Sequence, residues 1–160
     1  MPSFESLPRP VLRLLRLPPQ AAYAVGLGPV LGKLVLLLIT TGRKSGRPRV
    51  TPLQYEQKDG LFYLGSARGQ DADWFRNILV NPQVEIRVKG SRFTCRAQPV
   101  TDPERIADFL ELRLKRHPKM VGAMLKSEGL AKNPTRGQLE GFASHLAMVI
   151  LEPIHDNAIN

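Results

Sequence analysis

From Leu34 to Thr41 the chain is continuously apolar, which reads as a buried strand. A turn of Gly42-Arg43-Lys44-Ser45-Gly46 leads into a second predicted strand, Arg49–Glu56. Lys58-Asp59-Gly60 makes the next turn, and Leu61–Ser66 is a third strand. Val84, Ile86 and Val88 alternate with Glu85, Arg87 and Lys89, the period of a half-exposed strand. Lys89-Gly90-Ser91 turns the chain into Phe93–Val100, and His145–Glu152 is a sixth strand stopped by Pro153.

Helical patterns interrupt this series. Asp71 or Asp73 can cap a helix carrying Trp74, Phe75, Ile78 and Leu79, which ends at Asn81-Pro82. Thr101 or Asp102 caps a second, with Pro103 in its first turn and Ile106, Phe109, Leu110 and Leu114 on one face. Pro118 breaks that helix, and Lys119–Lys126 resumes as a short one. Gly129–Gly141 is polar and contains glycine, the pattern of a mobile loop. Before the strands, Arg9–Leu17 is a short amphipathic helix stopped by Pro18-Pro19, within an N-terminal extension of residues 1–33. Its arginines either stay in water while its leucines pack on the barrel, or face anionic headgroups in a peripheral membrane contact.

Six short strands in hairpin order, with helices in the connections, predict a mainly β fold in residues 34–160: an antiparallel barrel with flanking helices. Closure hides the edges that such strands would otherwise expose. No βαβ alternation appears and no GxGxxG follows a strand, which argues against a Rossmann domain. The most apolar stretch, Val25–Thr40, is interrupted by Lys33 and by several Gly and Pro, so neither a spanning helix nor an export signal is expected.

Composition changes this picture in two places. The net charge of +9 implies an anionic partner, which could be nucleic acid, membrane headgroups or a phosphorylated ligand. Nucleic-acid binding commonly adds exposed aromatics; here aromatics are 6% of residues and mostly fall in apolar strand or helix patterns, so nucleic acid is not the expected partner. The single cysteine, Cys95, cannot form an internal disulfide and fits a reducing cytoplasm. His117, His145 and His155 are scattered, so no metal site is expected, and no Ser/His/Asp or Cys/His set nominates a catalytic side chain.

The chemistry concentrates between Thr40 and Leu53. The hairpin tip there holds two glycines, a hydroxyl and four cations. Glycines let successive backbone N–H groups turn toward one point, and Arg43, Lys44 and Arg49 can add charge-assisted hydrogen bonds to an anion. Equally, the same residues could form a solvated turn that happens to be basic.

The run from Leu36 to Leu53, then Gly65-Ser66, Asp73-Trp74-Phe75-Arg76-Asn77 and Asn81-Pro82, resembles the deazaflavin-dependent nitroreductase family, in particular F(420)H(2)-dependent quinone reductases. The similarity continues through Val84–Val88 and Thr101–Leu114 to Val149–Pro153. It implies an FMN-binding-like split β-barrel holding coenzyme F(420), whose reduced deazaflavin gives a hydride to a quinone or nitro acceptor. FMN is the alternative coenzyme. F(420) carries a phosphodiester and an oligoglutamate tail, so the basic turn acquires an anionic partner.

By resemblance Arg43, Lys44, Ser45 and Arg49 hold the phosphate, and Val50, Pro52 and Leu53 lie against the ring. Ser66, Ala67 and Arg68 match a second loop, where the family often has Ser-Lys-Gly-Gly. Trp74 either packs beneath the coenzyme loop or flanks the ring. Tyr55 and Tyr63 read as cross-strand packing residues. Relatives that act on nitroimidazoles carry tyrosines around His117–Leu125, where this chain has Met120 and Met124. The resemblance also leads us to expect a homodimer.

Overall fold

The computed structural model describes residues 35–131 and 133–154. The N-terminal extension, with the helix expected over Arg9–Leu17, lies outside them.

Seven strands form one antiparallel sheet: β1 (Val35–Thr41), β2 (Pro48–Gln54), β3 (Glu56–Lys58), β4 (Leu61–Ser66), β5 (Gln83–Val88), β6 (Ser91–Val100) and β7 (Ala147–Pro153). The six-strand expectation missed one because the predicted strand Arg49–Glu56 is broken at Tyr55. Its two pieces pair with different partners, β2 with β1 and β3 with β4. The order across the sheet is β2-β1-β5-β6-β7-β4-β3. The two edge strands are therefore consecutive in the chain, joined by the single residue Tyr55. A sheet whose opposite edges are one residue apart must curl on itself, so this connection makes the sheet a barrel split along part of its length.

The turns follow their residues. Asp59-Gly60 and Lys89-Gly90 both have positive φ at each position, the conformation that suits the twist of a two-residue hairpin.

Alternation sorts the side chains. Leu36, Leu38, Phe62, Leu64, Val84, Ile86, Val149 and Leu151 point into the barrel. Helix α1 (Asp73–Val80) packs against β1 and β6, and its Trp74, Phe75 and Ile78 complete this inner core. Tyr55 lies tilted against Phe62 with ring centroids 5.8 Å apart, as a packing residue would. A second core lies outside the barrel, between Tyr63, Val100, Met148 and Ile150 of the sheet and α2 (Pro103–Arg116), α3 (Pro118–Ser127) and α4 (Arg136–Ala143). Met120 and Met124 belong to this second core.

Two expectations need correction. The segment Gly129–Gly141 is not a loop throughout. Thr135 and Gln138 form a reciprocal capping box, and Leu139 and Ala143 are buried, so α4 starts at Arg136 despite Gly137 and Gly141. Arg136 holds α4 to α2 through Asp108 and Glu111. Secondly, neither Asp71 nor Asp73 caps α1. The cap position is Ala72, without a side-chain bond, and both aspartates are committed to arginines. In α2 it is Asp102 that caps, accepting from Glu104 N.

A buried charge cluster secures the corner at Tyr55. Glu56, 3% exposed, faces Arg113 Nε at 3.6 Å, Arg116 at 3.2 Å and His117 Nε2 at 3.2 Å. Arg113 also donates to Gln54 at 2.7 Å. The end of β2 and the start of β3 are thus tied to the junction of α2 and α3. Burial pushes the Arg113 guanidinium below its ordinary value, and its neighbour Glu56 opposes that shift.

Candidate functional site

The β1–β2 hairpin, strand β2 and the first turns of α1 border an open cavity of about 650 Å³. Its walls combine the hairpin residues Gly42–Ser45, the strand residues Pro48–Pro52, Leu37, and Asp73, Trp74 and Asn77 of the helix.

The hairpin tip is shaped by its glycines. Gly42 N donates to Arg47 O, and Gly46 N to Gly42 O, each at 2.8 Å. Gly46 turns with φ of 68°, where a side chain is strained. A Cβ on Gly42 would stand 2.6 Å from Ser45 Oγ, 3.2 Å from Arg47 O and 3.4 Å from Arg49 Nε. The absent methyl is what lets Ser45 and Arg49 close over the backbone.

Asn77 fastens this tip to the helix. It is 3% exposed, within the apolar face that buries Trp74, Phe75 and Ile78. Its amide donates to Thr40 Oγ1 at 3.1 Å, and its Oδ1 accepts from Arg43 N at 3.1 Å and Arg43 Nη1 at 3.0 Å. The Arg43 guanidinium goes on to Asp73, giving Nη2 to Oδ1 at 2.9 Å and Nη1 to the backbone O at 3.4 Å. Three of its N–H groups, out of the five an arginine carries, therefore face α1. That hydrogen bond and the positive charge of Arg43 hold the Asp73 carboxyl below the usual carboxylate range.

Lys44 and Arg49 are different. Both line the cavity, both are exposed, and neither side chain is hydrogen-bonded or ion-paired to any described residue. With Ser45, whose Oγ accepts from Arg47 N at 3.2 Å, they make one end of the cavity strongly cationic. At the other end Leu37, Val50 and Pro52 are half-buried and apolar. The register pairs Leu37 with Pro52 and Ile39 with Val50, placing these apolar residues together on one face of the sheet.

The structure thus brings Arg43, Lys44, Ser45, Arg49, Val50, Pro52 and Trp74 around one space. Trp74 meets both of its readings: it is packed edge-on to Phe75 at 6.1 Å in the inner core, and it borders the cavity. Leu53, Ser66, Ala67 and Arg68 are not among the lining residues. Leu53 turns onto the inner core, and the buried Ser66 hydroxyl donates to Gly69 O at 2.7 Å. Ala67 and Arg68 are exposed on the following loop, and Arg68 is near enough to Asp73 to help lower its pKa. Burial pushes the Cys95 thiol up to about 11, so it packs rather than reacts at neutral pH.

Sequence reasoning passed over Leu37, Asp73 and Asn77. Asn77 carried a readable signal, a polar residue within the apolar stripe of a helix, which must find buried partners. The partner of Asp73 lies thirty residues earlier in the chain, and no local pattern announces it.

The model of the F(420)H(2)-dependent quinone reductase family matches residues 20–124, most of the chain and all of this cavity. The chain belongs to this family. An F(420)H(2)-dependent quinone reductase of Mycobacterium tuberculosis is 39% identical over an alignment of 74 residues, with 43% of this chain and 50% of that protein covered. The chain spans about half the length of the curated relatives it matches. Among solved structures, an F(420)-H(2)-dependent reductase is 22% identical, with a TM-score of 0.52 over 75% of this chain and 95% of that one. A structure described as a domain-swapped dimer is 20% identical, with a TM-score of 0.52 over 89% of this chain and 99% of that one. At these identities the likeness is one of fold, and the fold is the split barrel.

Proposed function

We propose that the cavity holds coenzyme F(420) and that the protein reduces a quinone with it. The observation that carries this reading is the cavity's polarity: two cations that pair with no described residue, Lys44 and Arg49, at one end and an apolar wall of Leu37, Val50 and Pro52 at the other. A ligand with a phosphodiester at one end and a flat ring at the other fits this division, and the family match supports the choice of deazaflavin over FMN. When bound, the reduced deazaflavin supplies the hydride.

The chain's part is to bind, orient and exclude water. Lys44, Ser45 and Arg49 hold the phosphate, while Arg43, turned onto α1, fixes the hairpin that presents them. Val50, Pro52 and the exposed edge of Trp74 bear on the ring. Leu53 backs β2 from the core side, Ser66 pins the second loop, and Ala67 and Arg68, exposed on that loop, meet the oligoglutamate tail. Within the described residues no helix is long and apolar enough to cross a membrane. The neighbour described as a domain-swapped dimer supports a homodimer.

For the acceptor, the family name and the apolar wall favour a quinone. Single-turnover oxidation of the reduced coenzyme tests this. The rate with a short-chain quinone exceeds that with a nitroimidazole, and the opposite ranking removes the quinone assignment.

A further inference from the structure

Among the described residues Asp73 is the one acidic residue lining the cavity, in a wall that otherwise carries Arg43, Lys44 and Arg49. Its side chain is 79% exposed, yet it stays on Arg43, whose own side chain is 22% exposed, at 2.9 Å. Arg68 from the loop after β4 and Arg76 from its own helix also act on it, and Arg76 is itself paired with Asp71 at 2.8 Å. In this arrangement a resident carboxylate occupies the cation that stands beside Lys44 and Arg49, whose side chains pair with no described residue.

We propose that Asp73 is an internal competitor for the anion this cavity binds, and so lowers the affinity for every anion by a similar factor. An incoming phosphate meets a full negative charge in the wall and an Arg43 already engaged on its carboxylate. A bare phosphate, offering only its own contacts to Lys44 and Arg49, is poorly retained. A ligand that also brings a ring for the apolar wall has additional contacts to overcome the repulsion. Asp73 thus sets how many further contacts a ligand must bring to be retained, and the inference deepens the coenzyme reading on which it rests.

The alternative role for the same contact is positioning, in which Asp73 orients Arg43 for the phosphate. Two variants of the full-length protein separate the roles. In Asp73→Asn the amide oxygen still accepts from Arg43 but the charge is gone; in Asp73→Ala both are gone. The position is exposed, so each variant keeps the fold. Dissociation constants are measured for F(420), by its fluorescence, and for inorganic phosphate, by its displacement of F(420) and by direct titration.

Competition predicts that both variants bind both ligands about three- to tenfold more tightly at low salt, the size of one charge at contact distance in a water-like medium. The gap closes as salt rises toward about 1 M, where screening shortens to roughly 3 Å. Weaker binding by Asp73→Ala with wild-type binding by Asp73→Asn overturns the proposal in favour of positioning, and unchanged binding in both overturns it outright. If the wild type binds no F(420) but phosphate binding still tightens in both variants, the competitor stands and the coenzyme reading falls.

Discussion

Replacing Asn77 with alanine separates the hairpin from the helix with little change to the surface. Asn77 makes three hydrogen bonds from a position that is 3% exposed: to Thr40 Oγ1, from Arg43 N and from Arg43 Nη1. The two neutral bonds contribute roughly 0.5–1.5 kcal/mol each. The third is charge-assisted, but Arg43 is partly exposed, so water recovers much of its strength. Thr40 is buried, and its hydroxyl loses a donor that water cannot readily replace. The sum is a loss of about 2–4 kcal/mol, which for a chain of this size lowers the melting temperature by roughly 5–15 °C. Urea unfolding followed by circular dichroism gives the free energy directly, with an unchanged slope if only stability has moved. Asn77→Asp keeps the acceptor for both Arg43 groups and loses less. Coenzyme binding falls in the alanine variant even where the protein remains folded, because Lys44 and Arg49 are no longer held at one spacing. A loss under about 1 kcal/mol, or alanine and aspartate variants of equal stability, would refute the clamp.

Gly42→Ala forces a methyl to within 2.6 Å of Ser45 Oγ and 3.2 Å of Arg47 O, and that carbonyl is pinned by Gly42 N. It destabilises by about 1–3 kcal/mol, as overpacking does, and weakens coenzyme binding by displacing Arg49; thermal melts and a binding titration check both. Glu56→Gln leaves Arg113 buried without its counter-charge and costs about 3 kcal/mol in urea unfolding, while coenzyme affinity in the folded protein stays near wild type.

Much of this fold was legible because short-range patterns carried it. The alternation of Val84, Ile86 and Val88 places β5, and the Gly-containing turns at Asp59-Gly60 and Lys89-Gly90 mark two hairpins without reference to the rest of the chain. The break at Tyr55 was not legible, since β2 and β3 form one continuous pattern and only their partners, at opposite edges of the sheet, divide them. Helix α4 was hidden by its two glycines, although Thr135-x-x-Gln138 is a start signal that the polar composition outweighed. At the site, the basic hairpin was readable as a candidate anion cradle from its residues. The division of labour within it was not: that Arg43 turns to α1 while the Lys44 and Arg49 side chains bond to no described residue depends on Asp73 and Asn77, and only the fold brings these beside the hairpin.

The central claim is that Lys44 and Arg49 form the phosphate end of a coenzyme F(420) site. Calorimetric titration of the wild type, Lys44→Ala and Arg49→Ala with F(420), with FMN as the comparison ligand, tests it most directly. The account predicts that the wild type prefers F(420) to FMN, and that each variant weakens F(420) binding by about 1–3 kcal/mol, the cost of a lost charge-assisted hydrogen bond. Unchanged dissociation constants in both variants, with circular dichroism showing an intact fold, would contradict it.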